Sequence, residues 1–174
     1  MSATELDPSI EALLDQFPIA TNTHASAETL EAMRGGSIPT PPLSDAVERK
    51  DQVIREEPYL AVRIHKPKGV ELANAPCVYS IHGGGYVMGT VDLDDFLFDV
   101  LCQETGCVGV SVDYRLAPEA PYPAPLEDCY EGLAWVFENA DELGIDPSRI
   151  GIHGVSAGGG LAAALALLVR DRGE

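Results

Sequence analysis

Apolar and polar positions alternate from Leu60 to His65, with Leu60, Val62 and Ile64 set against Ala61, Arg63 and His65. That period of two predicts a half-buried strand, and a shorter run from Gln52 to Glu56 predicts another before it. Cys77 to Ile81 and Cys107 to Val112 are short, mostly apolar runs, as expected of strands buried on both faces. Between them the spacing switches. Leu93, Phe96, Leu97, Val100 and Leu101 recur at helical intervals, predicting a helix over 92–104. Leu126, Cys129, Tyr130, Leu133, Val136 and Phe137 form one stripe of a second helix, reached through a proline-rich loop from Ala117 to Pro125. Asp146-Pro147-Ser148 predicts a turn, Arg149 to Val155 a strand, and Gly158 to Arg170 a buried helix, apolar all round.

Two short amphipathic helices are predicted upstream, over 7–17 and 26–34, with Pro8 and Ser26 at their starts and Gly35-Gly36 at a stop. The connector Ile38-Pro39-Thr40-Pro41-Pro42 then breaks the pattern. It divides an N-terminal appendage, residues 1–45, from a main body, residues 46–174. Within the main body strands and helices alternate. That order specifies an α/β fold, a mostly parallel sheet with helices on both faces, because right-handed crossovers leave few other arrangements.

Composition narrows the partners. Asp and Glu number 28 against 11 Lys and Arg, a formal net charge of −17. Such a surface repels phosphate backbones and anionic headgroups, so nucleic acid is not an expected partner. The three lysines are Lys50, Lys66 and Lys68. An acid-rich, lysine-poor surface can suit a high-salt interior, where screening relieves self-repulsion, but compositional drift is the plainer reading. The N-terminus has no basic, apolar leader, and the longest apolar run, Leu161 to Val169, is too short to span a bilayer. A cytoplasmic location is therefore expected. Cys77, Cys102, Cys107 and Cys129 form no CxxC pair or Cys/His cluster. They are expected to be buried thiols, with no metal, cofactor or structural disulfide.

Two motifs carry chemistry. Gly154-Val155-Ser156-Ala157-Gly158 is a GxSxG sequence between a predicted strand and a predicted helix. A serine on that sharp turn projects its hydroxyl from the carboxyl edge of the sheet, and the helix behind it aims amides, Ala157 among them, at developing negative charge. His82-Gly83-Gly84-Gly85-Tyr86 follows another strand. Three successive glycines cost backbone entropy, and a reason for them is that backbone N–H groups must approach a carbonyl oxygen closely. A nucleotide-phosphate loop is the competing reading. Gly83, Gly85 and Gly89 are spaced GxGxxxG, which is not the dinucleotide fingerprint. Nucleophile and charge stabiliser serve one reaction, acyl transfer.

Together with Asp113-Tyr114-Arg115-Leu116-Ala117-Pro118-Glu119 and Pro123-Ala124-Pro125-Leu126-Glu127-Asp128, these motifs resemble the hormone-sensitive-lipase-type esterases, a branch of the α/β-hydrolases. The resemblance runs from about residue 48 to the last residue. It implies Ser156 as nucleophile, oxyanion-hole N–H groups from Gly83, Gly84 and Ala157, and His82 orienting the glycine loop. Asp113 and Arg115 would hold the following loop, and the two N-terminal helices would correspond to the family's cap. It further implies small, uncharged ester substrates with short acyl chains. Val155 stands where the family usually has an acidic residue, and Gly160 where it usually has Asn.

The fold's triad runs Ser, then Asp or Glu, then His. Eighteen residues follow Ser156 and none is histidine; the four in the sequence are His24, His65, His82 and His153. None is an expected general base. The expectation is an incomplete α/β-hydrolase fold, nearly inactive alone, with the strand at 149–155 left as a sheet edge open to self-association or a complementing chain. A non-catalytic small-molecule-binding protein and a non-functional remnant of the same fold are the alternatives. The downstream coding sequence discriminates between them.

Overall fold

The computed structural model describes residues 26–35 and 41–173. The chain divides into two compact units, residues 1–36 and 37–174. Of the first, helix α1 (Ala27–Arg34) is described. Ser26 caps it: its Oγ accepts from Thr29 N at 3.2 Å, while Thr29 Oγ1 accepts from Ser26 N at 2.8 Å. This reciprocal pair satisfies two amides that a helix start otherwise leaves bare. The helix predicted over 7–17 lies outside the described residues.

The second unit contains β1 (Val47–Arg55), β2 (Leu60–Pro67), β3 (Ala75–Ile81), a 3-10 turn (Val91–Asp94), α2 (Asp95–Thr105) and β4 (Val108–Asp113). It continues with α3 (Ala124–Glu138), α4 (Ala140–Leu143), β5 (Ile145–Gly154) and α5 (Ala157–Arg172). The strands form one sheet in the order β1-β2-β4-β3-β5. β2 is antiparallel to both its neighbours, and β3 runs parallel to β4 and β5. Four of the five strands therefore point the same way.

Helices cover both faces. On one, α3 and α5 close over Leu60, Val62, Tyr79, Ile81, Val110 and Val112 in the main core. On the other, α2 lays Phe98 and Cys102 against Val47 and Cys107. Phe98 is fully buried, and a Cβ at Gly109 would stand 2.2 Å from its ring. The glycine in β4 is what lets α2 sit down. Burying a ring of that size stabilises by roughly 2–3 kcal/mol.

Ion pairs fix the helices at their edges. Asp95 accepts from His65 Nε2 at 2.8 Å, and Asp99 pairs with Arg49, tying α2 to β2 and β1. Asp128, fully buried on α3, takes Arg115 Nε at 2.7 Å and Arg55 Nη2 at 2.6 Å, while Arg55 also reaches Glu131.

Several boundaries differ from the periodicity. β1 begins at Val47 rather than Gln52, through a run of charged residues. It is an edge strand, where alternating exposed positions tolerate charge and Arg49 finds carboxylates on α2. Pro76 lies inside β3, at its start, where the register with β5 is irregular. Asp146-Pro147-Ser148 is a turn in its hydrogen bonding, with Ser148 N donating to Asp146 Oδ1 at 2.9 Å, yet it sits within β5. Phe137 is exposed because it falls at the far end of the α3 stripe. α5 is not buried all round: Leu161 and Leu165 face the core, while Ala163, Ala166 and Leu167 are exposed among the described residues.

Candidate active site

β5 ends at Gly154 and α5 begins at Ala157, so two residues make the whole turn between strand and helix. Ser156 takes the strain, with φ 56° and ψ −119°, a backbone that L-residues rarely adopt. Its side chain is exposed at the carboxyl edge of the sheet, and Gly159 N donates to its carbonyl at 3.0 Å. The turn is this tight because its neighbours lack side chains. A Cβ at Gly158 would lie 2.0 Å from Ile81 O, so α5 could not approach β3 with any other residue there.

The glycine loop leaves β3 beside this turn. A Cβ added to Gly83 would stand 3.5 Å from Ser156 Cβ and 3.0 Å from Val155 O. Gly84 has φ +125°, and a Cβ on it would fall 1.9 Å from Met88 O. Met88 N closes the loop onto Gly84 O at 3.0 Å, and Ala117 N holds Tyr86 O at 2.9 Å. Among the described residues no carbonyl accepts from the N–H groups of Gly83, Gly84 or Ala157. Ala157 is the first residue of α5, where helical geometry leaves an amide unbonded and carries the positive end of the helix dipole.

His82 is 1% exposed. Its Nδ1 donates to Gly83 O at 2.8 Å, its ring stacks on Tyr114 at 4.2 Å, and Tyr114 Oη donates to His82 O at 2.9 Å. Burial holds its pKa below the ordinary histidine value. It is thus a neutral ring fastened to the loop. Arg115, carried forward as a loop support, forms a bidentate pair with Asp128 and donates its backbone N–H there too. Asp113 stands apart from that pair, and burial raises its pKa.

The other described histidines are engaged elsewhere. His65 is buried against Asp95 and Phe98. His153 Nδ1 lies 3.1 Å from Ser80 Oγ, and His24 falls outside the described residues. No described side chain hydrogen-bonds to the Ser156 hydroxyl. Two residues that the sequence marks only as members of the glycine stretch have contacts it does not predict, and a third is missed: Tyr86, at φ +66°, whose hydroxyl would lie 2.6 Å from a Cβ on Gly160; Gly89, where a Cβ would stand 2.7 Å from His82 Nδ1; and buried Asp94. The first two could have been suspected from glycine placement alone. No described helix is long and apolar enough to cross a membrane.

Known proteins share this fold. Residues 78–174 match the family model described as the alpha/beta hydrolase fold. The carboxylesterase NlhH of Mycobacterium tuberculosis is 40% identical over 97% of this chain and 53% of its own length. The arylesterase of Saccharolobus solfataricus is 39% identical over 78% of this chain and 43% of its own. Among solved structures, the hyperthermophilic esterase of Pyrobaculum calidifontis superposes with a TM-score of 0.73 at 34% identity, over 98% of this chain and 56% of that one. A bacterial heroin esterase gives 0.73 at 36% identity, covering 97% and 54%. The chain spans about half the length of the curated relatives it matches. With its serine elbow, its glycine loop and its sheet order, the chain belongs to the α/β-hydrolase fold family.

Proposed function

We propose that this chain carries the nucleophile and the oxyanion-binding half of a carboxylic-ester hydrolase. The observation that supports it most is the exposed, strained Ser156 beside an unbonded row of amides on Gly83, Gly84 and Ala157. Ser156 Oγ attacks the ester carbonyl carbon and gives up its proton to a base. The carbonyl oxygen becomes the tetrahedral oxyanion and accepts hydrogen bonds from the three N–H groups. Collapse expels the alcohol, and water then releases the acid from the acyl-enzyme. His82 holds the loop and does not touch substrate. Short-chain, uncharged esters are the substrate class, consistent with a net charge of −17 that repels anionic ones.

The base is the unfilled role. A polypeptide of just these 174 residues keeps its nucleophile without a histidine to activate it. In a serine protease that loss lowers kcat by about 10⁶, and binding with oxyanion stabilisation retains about 10³ over water. Such a polypeptide is nearly inactive and needs a complementing segment, a reading supported by the position of β5 at the end of the sheet order. A cytoplasmic setting belongs to the same reading, supported by four buried free thiols.

The test is hydrolysis of short p-nitrophenyl esters by the chain alone and with a polypeptide carrying the remainder of a relative's fold. Turnover should appear on complementation and vanish in Ser156→Ala. Equal turnover by that variant refutes the assignment.

A further inference from the structure

The carboxyl ends of β3 and β4 carry polar groups that ester chemistry leaves unused. The strand register sets Ser80 opposite Ser111 on the face that α2 covers; His82 follows β3 directly and Asp113 closes β4. The 3-10 turn packs on β4, and its last residue, Asp94, is 3% exposed. Three atoms in this group are buried without a hydrogen-bond partner: His82 Nε2, Asp94 Oδ2 and Ser111 Oγ. Buried polar atoms are rarely left dry, and a shared partner for all three must satisfy their donor and acceptor roles.

Those roles are fixed. His82 donates through Nδ1 to Gly83 O, so its Nε2 is a neutral acceptor. Asp94 Oδ2 is a second acceptor, and two acceptors cannot satisfy one another. A water molecule donates one proton to each and accepts the hydroxyl proton of Ser111, which closes the set with three partners. We propose that His82, Asp94 and Ser111 enclose a buried water, and that through it Asp94 is a positioning residue for the oxyanion loop. The water's proton on Nε2 keeps the imidazole in the tautomer that donates to Gly83 O. Gly83 O lies in one peptide plane with Gly84 N–H, so that tautomer aims the Gly84 amide, while Tyr114, bonded to His82 O, fixes the plane that carries the Gly83 amide. The proposal rests on the reading of those amides as the oxyanion hole.

The charged and titratable groups facing the His82 ring are Asp94 from the turn, Asp113 from β4 and Tyr114 stacked upon it. Burial lowers the imidazole's pKa, and the two carboxylates push it the other way. Both effects can be read by NMR.

The experiment uses the full chain with ¹⁵N-labelled histidine, and fluorophosphonate labelling is read after adding the complementing polypeptide described above. In the parent, His82 Nε2 should show an unprotonated shift and its Hε1 a cross-peak to long-lived water. Asp94→Leu removes an acceptor and should lose both signatures, with fluorophosphonate labelling of Ser156 slowed on the order of tenfold. Asp94→Asn keeps an acceptor oxygen and should restore labelling to within about twofold of the parent. Removing its charge should also move the His82 titration midpoint further down, while the matched change Asp92→Asn, at an exposed position, should not. Identical His82 shifts and labelling in Asp94→Leu and the parent overturn the proposal. Should Asp94→Leu fail to fold, an unmoved His82 midpoint in Asp94→Asn overturns it instead. Labelling of the parent that survives Ser156→Ala would sink the nucleophile reading, and the NMR signals would still decide the water.

Discussion

Ser156 pays for its exposure in backbone strain, and that strain is measurable without any substrate. A φ of 56° with ψ −119° costs an L-residue of order 1–3 kcal/mol, because Cβ crowds its own carbonyl. Ser156→Ala removes the hydroxyl and keeps the Cβ. Ser156→Gly removes both, so it should be more stable than Ser156→Ala by about 1 kcal/mol, despite the entropy glycine adds to the unfolded chain. Urea unfolding of the two variants at pH 7 measures the difference. Equal stabilities would mean a relaxed turn, and with it no elbow. At this scale much of the site was legible, since Gly83, Ser156 and Gly158 each mark a place where backbone must come close to backbone. Asp94 was not, because a lone acidic residue near a helix start reads as an ordinary surface cap. Nothing in its sequence context reveals burial beside an imidazole.

At the scale of elements, α3 depends on a charge in its first turns that periodicity treats as solvent-facing. Asp128 is fully buried, and burial alone would push its carboxyl upward; hydrogen bonds from Arg115 and Arg55 outweigh this and hold its pKa below the ordinary value. Its carboxylate ties the loop after β4, and the strand end at Arg55, to the helix. Asp128→Asn should destabilise the fold by roughly 3 kcal/mol at pH 7, since it leaves two guanidinium groups facing a neutral amide. The sign of the pH effect follows from a depressed folded-state pKa. The contribution is fully present above the unfolded carboxylate value near 4 and is lost as pH falls through the lower folded value. Parent and variant should therefore converge on acidification, and urea midpoints at pH 7 and pH 3 would show it. A constant gap between them would contradict the assignment. The pattern of strands and helices was readable because apolar runs and their spacing report burial directly. The start of β1 was hidden because an edge strand can be as charged as a loop, and α5 misled because a helix apolar all round can still present one side to open space.

For the molecule as a whole, the consequential surface is the free side of β5. Among the described residues no strand lies beyond it in the sheet order, and parallel pairing to β3 satisfies only one of its edges. An edge with Ile150 and Ile152 along it is a template for another strand, from a complementing segment or a second copy. The sheet order puts β5 at an edge, as the sequence predicts for the strand at 149–155. The net charge of −17 opposes association at low salt, and screening removes that opposition. A polypeptide of these 174 residues should accordingly self-associate more strongly as sodium chloride is raised. Gly151 offers a way to test the route. It is exposed in mid-strand, and a Cβ there meets nothing within 4 Å. Gly151→Lys should leave the melting temperature close to the parent's while placing a charge beside the edge, which natural sheets use to discourage pairing. Sedimentation velocity across a salt series reads the outcome. If the lysine variant associates as strongly as the parent at every salt concentration, contact is made through another surface, and the exposed side of α5 around Leu167 becomes the next place to substitute.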